Sequence, residues 1–550
     1  MIKKIILLFL AFIIVSNCVF SQKTTLSKPK LIVEIVVDQM RYDYILRYWN
    51  KFGNEGFKKL IEKGTFCKNV KYDYLITSSS SGYATISTGT TPAFHGIISD
   101  NWYMRLQEKV MYCVYDENEK MIGANVIENI GKSPLQLVSS TWSDELKISN
   151  FKQSKVIGIS QKDYSSILST GYLSNAAYWF DSEDGKWVSS SYYMDSVPKW
   201  VKEFNQKEIP DIYLSQQWNT LLDIDQYTES LNDANSYENG FKGNNSFPYD
   251  LTLLKKLYAS YEILKYTPFG NTFTKDFAIS AIIEEKLGND EFTDFLSIGF
   301  NSTGYISDIF GIRSVEIEDT YLRLDNDIAH LLLTLDDMIG NENVLIFLTA
   351  DRGSTDDPLF LEDINMKGSL FNTTSAISVL NTYLKALYGY GEWVQYYYDN
   401  QIYLNRILIE DSKLSLSEVQ EKAATFMVQF TGIANAVSSD NLTSTEFTEG
   451  IFNQAQNSYN QQRSGDILIN FSPGWVEKSL TKDGFSLSSQ ISPYNYNTHV
   501  PLIWYGWQIP NKTIYRSIKI EDIAPTISSF LDISFPNACN GNIIDELFEN

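Results

Sequence analysis

Residues 74–103, YLITSSSSGYATISTGTTPAFHGIISDNWY, read as the end of a strand, a serine-rich turn and a short helix. The turn presents hydroxyls where the helix begins. Unbonded backbone N–H groups and the positive end of the helix dipole make such a place favourable for an anion, phosphate above all. A hydroxyl held there is a candidate nucleophile. Ser and Thr are also common helix caps, so composition alone assigns Thr77 to Ser81 to a cap and a turn. The rest of the chain decides what else the stretch can be.

On either side of it, short apolar runs alternate with helical patterns. That rhythm predicts an α/β fold, a central sheet flanked by helices on both faces. Leu31–Val37 is the clearest buried strand and is followed at once by Asp38. Residues 155–159, 295–300, Val344–Thr349 and 500–504 read as further strands. Helical patterns cover Phe57–Lys63, 135–148, 275–287, 320–339, 373–387 and 520–531. Two stretches, roughly 170–250 and 366–490, break the rhythm and read as cap-like insertions over a site. No linker, repeat or charge block divides the chain, so residues 22–550 are expected to form a single domain with those insertions.

The first 21 residues read as an export signal: Lys3 and Lys4 are basic, 5–15 is apolar, and Ser21 offers a small residue before Gln22. Cys18 raises lipid anchoring as an alternative, with Asn17 a poor residue to precede it. A periplasmic or extracellular location follows. No later segment is long enough to span a bilayer. The net charge of −22 argues against nucleic acid and anionic membrane as partners, since both would be repelled. An anionic ligand would need a local positive site. Cys67, Cys113 and Cys539 remain after export, allowing at most one disulfide and fitting no zinc-binding cysteine motif.

Open α/β sheets bind ligands beyond the carboxyl ends of their strands. Asp38 and Asp351 follow buried runs, His499 precedes one, and Ser79 lies in the opening turn. Two carboxylates, an imidazole and a hydroxyl so placed are the makings of a metal site, although any single strand-end Asp is more ordinarily a cap.

Several segments, in order along nearly the whole chain, carry a family resemblance. They are VVDQMRYDYILRYWNKFGNEGFKKLIEKG, STGTTPAFHGIISDNWY, VIGISQKD, LTADRG, SPYNYNTHVPLIWYG and EDIAPTISSFLDI. The chain resembles the alkaline phosphatase superfamily, and within it the monomeric, PafA-type alkaline phosphatases exported by bacteria. The resemblance implies hydrolysis of phosphomonoesters with two zinc ions and a Ser or Thr nucleophile that forms a phospho-enzyme. It implies Asp38 and Asp351 as ligands of one zinc, His499 as a ligand of the other, Ser79 as the nucleophile and Lys162 as a phosphate contact. Ser78, Ser80 and Ser81 leave the register of the nucleophile open by one residue.

The departures from that pattern are as informative. A family histidine ligand is matched by Arg352. A family Asp and His, four residues apart, are matched by Gly304 and Asp308. The phosphate-contacting Asn is matched by Asp100, and a second phosphate-contacting cation by Tyr164. The chain has three histidines, His95, His330 and His499. Of these only His499 is expected at the site.

The usual zinc pair therefore cannot assemble, and the expectation is no metal or one divalent cation at partial occupancy. Arg352 is expected to lie between Asp38 and Asp351 in place of zinc. The leading expectation is a pseudoenzyme, inert or weak as a phosphomonoesterase and kept for binding a phosphate ester, another small anion, or a protein or glycan partner. The alternative is an active phosphatase or phosphodiesterase with one hard cation on Asp308, His499 and nearby oxygens, with Ser79 as nucleophile. A binding surface on the aromatic insertions rests on composition alone.

Overall fold

Leu31–Val37 (β1) is buried along its whole length, on both faces, as a central parallel strand must be. The computed structural model describes residues 28–123, 130–478 and 491–549, with the backbone of Thr481–Lys482 and Phe485–Ser486. The expected signal segment, Cys18 and the end of the second expected insertion lie outside the described residues.

Around β1 the chain adds Thr65–Lys71 (β2), Met121–Ile122 (β3), Val156–Ser160 (β4), Ala176–Asp181 (β5), Lys186–Ser190 (β6) and Asp294–Phe300 (β7). Val344–Thr349 (β8), His499–Gly506 (β9), Lys512–Ile514 (β10) and Ile518–Lys519 (β11) complete an 11-stranded sheet. The order is β10-β2-β9-β8-β1-β7-β4-β5-β6-β3, with β11 also on β2. β8, β1, β7, β4 and β5 run parallel; β9 is antiparallel to both β8 and β2. Helices cover both faces, so the fold is the mixed α/β architecture that the sequence rhythm predicts.

The register positions the site. Val37 pairs with Phe300, Val36 with Thr349, and Gly299 with Ser160. Four neighbouring strands thus end at one level. Asp38, Asn301, Asp351 and Lys162 all emerge there, from chain segments far apart in sequence.

Three sequence expectations need correction. First, residues 176–190 of the first expected insertion form β5 and β6 and extend the central sheet. Their sequences, AAYWFD and KWVSS, show no alternation of apolar and polar residues because both faces are buried. Second, the helix expected over 135–148 is broken into a short turn, Pro134–Gln136, and a helix, Trp142–Ser149. Thr141 starts the second piece with a reciprocal capping box to Asp144. Third, β2 went unread because TFCKNVK carries two cations and an Asn on its half-exposed positions.

A second unit sits beside the turn that precedes Ser79. Val394–Tyr398, Gln401–Leu404, Ile433–Ser438 and Ile467–Phe471 form a four-stranded sheet of their own. Helices Thr373–Tyr388 and Leu416–Met427 pack on it around Leu380, Leu384, Val419 and Ala423. Leu75 and Ile76 bury themselves against Val437, Leu442 and Leu468 of this unit. Tyr103 stacks on Tyr396 with ring centroids 4.9 Å apart. Among the described residues no helix is long and apolar enough to cross a membrane. The thiols of Cys67, Cys113 and Cys539 are all free.

Candidate functional site

Ser79–Thr88 (α1) follows the serine turn, and all ten of its residues are buried. Its N-terminus separates the roles of the four serines. Ser78 is the N-cap: its hydroxyl accepts from Ser81 N at 3.3 Å and lies 2.7 Å from Ser81 Oγ. Ser81 Oγ donates to the Ile97 carbonyl at 2.9 Å. Ser80 is fully buried, its hydroxyl 3.3 Å from Ser78 Oγ. Ser79 alone keeps its hydroxyl toward the strand ends, where Arg352 Nε approaches it at 3.4 Å. The difference is measurable. Ser78→Ala should cost about 1 kcal/mol through the lost cap, and Ser79→Ala much less; thermal unfolding of the two variants checks this.

α1 approaches the end of β8 very closely. A Cβ on Gly82 would stand 2.1 Å from the Asp351 carbonyl oxygen, so glycine is what lets the helix backbone lie against that turn. Gln39, directly after Asp38, ties the site together from the other side. Its backbone N–H donates to Asp351 Oδ1 at 2.7 Å and its side-chain amide to Asp308 Oδ1 at 2.9 Å.

Asp38 is fully buried, with both carboxylate oxygens engaged. Tyr83 OH donates to Oδ1 at 2.8 Å, and the Lys162 ammonium sits 2.6 Å from Oδ2. Asn301 holds the segment that carries Lys162: its Oδ1 accepts from Ser160 Oγ at 2.6 Å, Gln161 N at 2.8 Å and Lys162 N at 3.1 Å. Burial works against the Lys162 charge, but Asp38 and Asp351 outweigh it and hold the ammonium pKa above its ordinary value. Burial first, then the neighbouring Asp38 charge, lifts the Asp351 carboxyl to about 7, against opposing effects of Arg352 and Lys162. Asp351 Oδ2 is buried without a hydrogen-bond partner. Burial also raises Asp308, with Arg352 opposing.

The structure thus brings together Asp38, Ser79, Lys162, Asp308, Asp351 and Arg352, and it corrects two expectations about the site. Arg352 does not lie between Asp38 and Asp351. Lys162 holds Asp38, while the Arg352 guanidinium turns to Ser79 and to the Gly353 carbonyl at 3.3 Å. His499 does not join the site either. It opens β9 opposite Lys71, its Nε2 is 2.9 Å from the Lys68 carbonyl, and its ring stacks on Tyr42 at 4.3 Å. Asp100 lies at the head of α1. Its Oδ1 accepts from Ser80 N at 3.1 Å, so a carboxylate of the protein already occupies the N-terminus of α1.

Sequence reasoning missed Gln39, Tyr83 and Asn301. Each had a signal: Gln39 adjoins a strand-end Asp, Tyr83 lies one helical turn after Ser79, and Asn301 ends a buried strand. Gly304 packs on Asp38; a Cβ there would lie 3.1 Å from Asp38 Cβ. Tyr164 lends its ring face to Lys162, the ammonium 5.7 Å from the centroid.

The residues do not fit the zinc pair that the resemblance implies. Asp38 has no lone oxygen, position 304 has no side chain, and no imidazole reaches the strand ends. His95 is buried between Thr85 Oγ1 at 3.1 Å and Ile97 N at 3.1 Å. His330 lies 3.2 Å from the Lys275 ammonium on an exposed helix face, and His499 is bound to Lys68. Among the described residues no three His, Cys, Asp or Glu side chains are arranged to hold a metal ion.

Comparison with known proteins is consistent along the whole chain. A protein of Myroides odoratus that carries the name calcium-transporting ATPase is 40% identical over 530 residues, 95% of this chain and 95% of that one. Alkaline phosphatase PafA of Elizabethkingia meningoseptica is 38% identical over 542 residues, 98% of each chain. The crystal structure of wild-type PafA superposes with a TM-score of 0.89 at 37% identity, covering 94% of this chain and 99% of that one. Residues 32–493 match the profile of the type I phosphodiesterase / nucleotide pyrophosphatase family. With that match, these likenesses and the shared sheet, the chain belongs to the alkaline phosphatase superfamily, among its PafA-like members.

Proposed function

We propose that this chain is an exported pseudoenzyme of its family, a binding protein that is inert or very weak as a phosphomonoesterase. The observation that carries this reading is the Lys162 ammonium seated 2.6 Å from Asp38 Oδ2. A carboxylate that would bind a cation is held instead by a fixed positive charge of the protein. Asp100 adds to this by placing negative charge at the α1 N-terminus, where a phosphate dianion would be repelled. A serine hydroxyl needs a metal or a base to ionise near neutral pH. Ser79 meets Arg352, which cannot accept a proton, and the carboxyl of Asp351, which burial holds toward its protonated form. Basic residues before an apolar run support export.

The test is metal content together with turnover. The purified chain, loaded with zinc and dialysed, should retain well below one zinc per chain by elemental analysis. It should release no phosphate from an aryl phosphate monoester above background. Stoichiometric zinc, with phosphate release that Ser79→Ala abolishes, would overturn the reading.

One observation favours the alternative of a working, single-cation hydrolase: the unpartnered Asp351 Oδ2 near Ser79. Magnesium- or calcium-dependent release from an aryl phosphate mono- or diester, lost in both Ser79→Ala and Asp351→Asn, would establish it.

A further inference from the structure

Beside the candidate site, on the outer side of Lys162, a cavity of about 320 Å³ opens between β4, β5 and the helix Ser302–Phe310. That volume is within the range of small-molecule sites. Three ammonium groups line it, in a chain whose net charge is −22. Lys162 lies 4.9 Å from the centroid of the Tyr305 ring, and Lys265 lies 5.7 Å from the centroid of the same ring. Lys132 lies 5.5 Å from the Trp179 ring centroid.

Donors and acceptors around the cavity are unequally used. The acidic groups are spent within the protein. Asp163 accepts from Tyr112 OH and Tyr164 N through one oxygen and pairs with Lys132 through the other. Asp181 accepts from the N–H groups of Glu183 and Asp184 in its own turn. Asp38 is filled by Tyr83 and Lys162. The ammonium groups are not spent. Each has three donors, of which Lys162 uses one on Asp38, Lys132 one on Asp163, and Lys265 two on Glu262 and Ser182. Among the described residues the cavity therefore offers ammonium donors beyond those its own carboxylates use. Two ammonium groups over one ring also repel each other, and bound negative charge would offset that repulsion.

The geometry points to a second anion subsite, formed by Lys265 and Lys132 beside Lys162, that suits a small organic bis-anion spanning the cavity. One acidic group would meet the Lys162 ammonium and the other would meet Lys265 and Lys132. Inorganic phosphate can satisfy only one end. This deepens the binding-protein reading by naming the class of ligand.

Isothermal titration of the full chain at low salt, with methylenediphosphonate against inorganic phosphate, tests it. Each added charge-assisted contact is worth roughly tenfold in affinity. The bis-anion should therefore bind at least about tenfold tighter than phosphate. Lys265→Ala should erase that preference, and Lys265→Arg should keep it. Lys199→Ala, remote and exposed, should change nothing. Equal affinity for the two anions, or a preference that survives Lys265→Ala, overturns the subsite. The probe carries no hydrolysable ester, so the titration is separate from the question of catalysis. Turnover of an aryl phosphate would overturn the pseudoenzyme reading, whereas this inference falls only on the titration.

Discussion

Lys162→Met should destabilise the protein by about 3–5 kcal/mol, the usual cost of leaving one member of a buried ion pair without its partner. Asp38 is fully buried, and the Lys162 side chain is 14% exposed. Removing the ammonium strands the Asp38 carboxylate with only the Tyr83 hydroxyl and with Asp351 beside it. The double variant Asp38→Asn/Lys162→Met should recover most of that loss. A neutral amide still accepts from Tyr83 through its oxygen, and no charge is left to desolvate. Equilibrium urea unfolding of the single and double variants measures both. A loss under about 1 kcal/mol in the single variant, in the range of exposed pairs, would mean that the pair does not hold the strand ends together.

The second large effect is one of pH. Stability should fall as pH rises from about 5 to 7, although relatives of this chain bear the name alkaline phosphatase. Burial raises three carboxyls, Glu34, Asp351 and Glu521, to about 7. Glu34 is the simplest case. It stands in the middle of β1, fully buried, with neither oxygen in a hydrogen bond of ordinary geometry; Ser297 and Ser169 lower its pKa slightly.

A carboxyl with a raised folded-state pKa stabilises the fold fully below its unfolded value. That contribution is lost progressively as pH climbs from the unfolded value to the folded one, because over that interval only the unfolded chain gives up the proton readily. Each such group contributes a slope of about 1.4 kcal/mol per pH unit. His95 opposes this at lower pH. Burial, aided by Arg463, holds its pKa down to about 3, so its contribution is lost as pH falls from 6.5. Below 6.5 the three carboxyls outweigh that single imidazole. The lowered carboxyls Asp43 and Asp163 titrate only in acid and are constant across this window. Melting temperatures from pH 5 to 7.5 should therefore decline. Glu34→Gln should remove on the order of 3 kcal/mol of the pH-dependent loss. A flat profile, or one that Glu34→Gln leaves unchanged, would mean that Glu34 is not held neutral.

Particular elements show why some of this was legible beforehand and some was not. β1, β8 and the helix Phe57–Lys63 were read to the residue because an uninterrupted apolar run or a clear helical stripe leaves one way to bury it. β2 was not, because its burial comes from partners on both sides rather than from its own composition. Asp38 and Asp351 were legible as strand-end acids. The partner of Asp38 was not. Lys162 and Arg352 are both cations near the same strand ends, and sequence proximity favours Arg352. Only the contacts each side chain makes in the folded chain separate them.

The sequence by itself determined the α/β sheet, the family and the short supply of imidazoles, since these rest on periodicity, ordered motifs and residue identity. It also placed a serine turn at the head of a helix. Which serine caps that helix, that Asp100 fills its N-terminus and that Lys162 neutralises Asp38 were decided by tertiary structure. Each depends on distances between atoms that the register of four parallel strands sets, and on charges that must find partners once water is excluded.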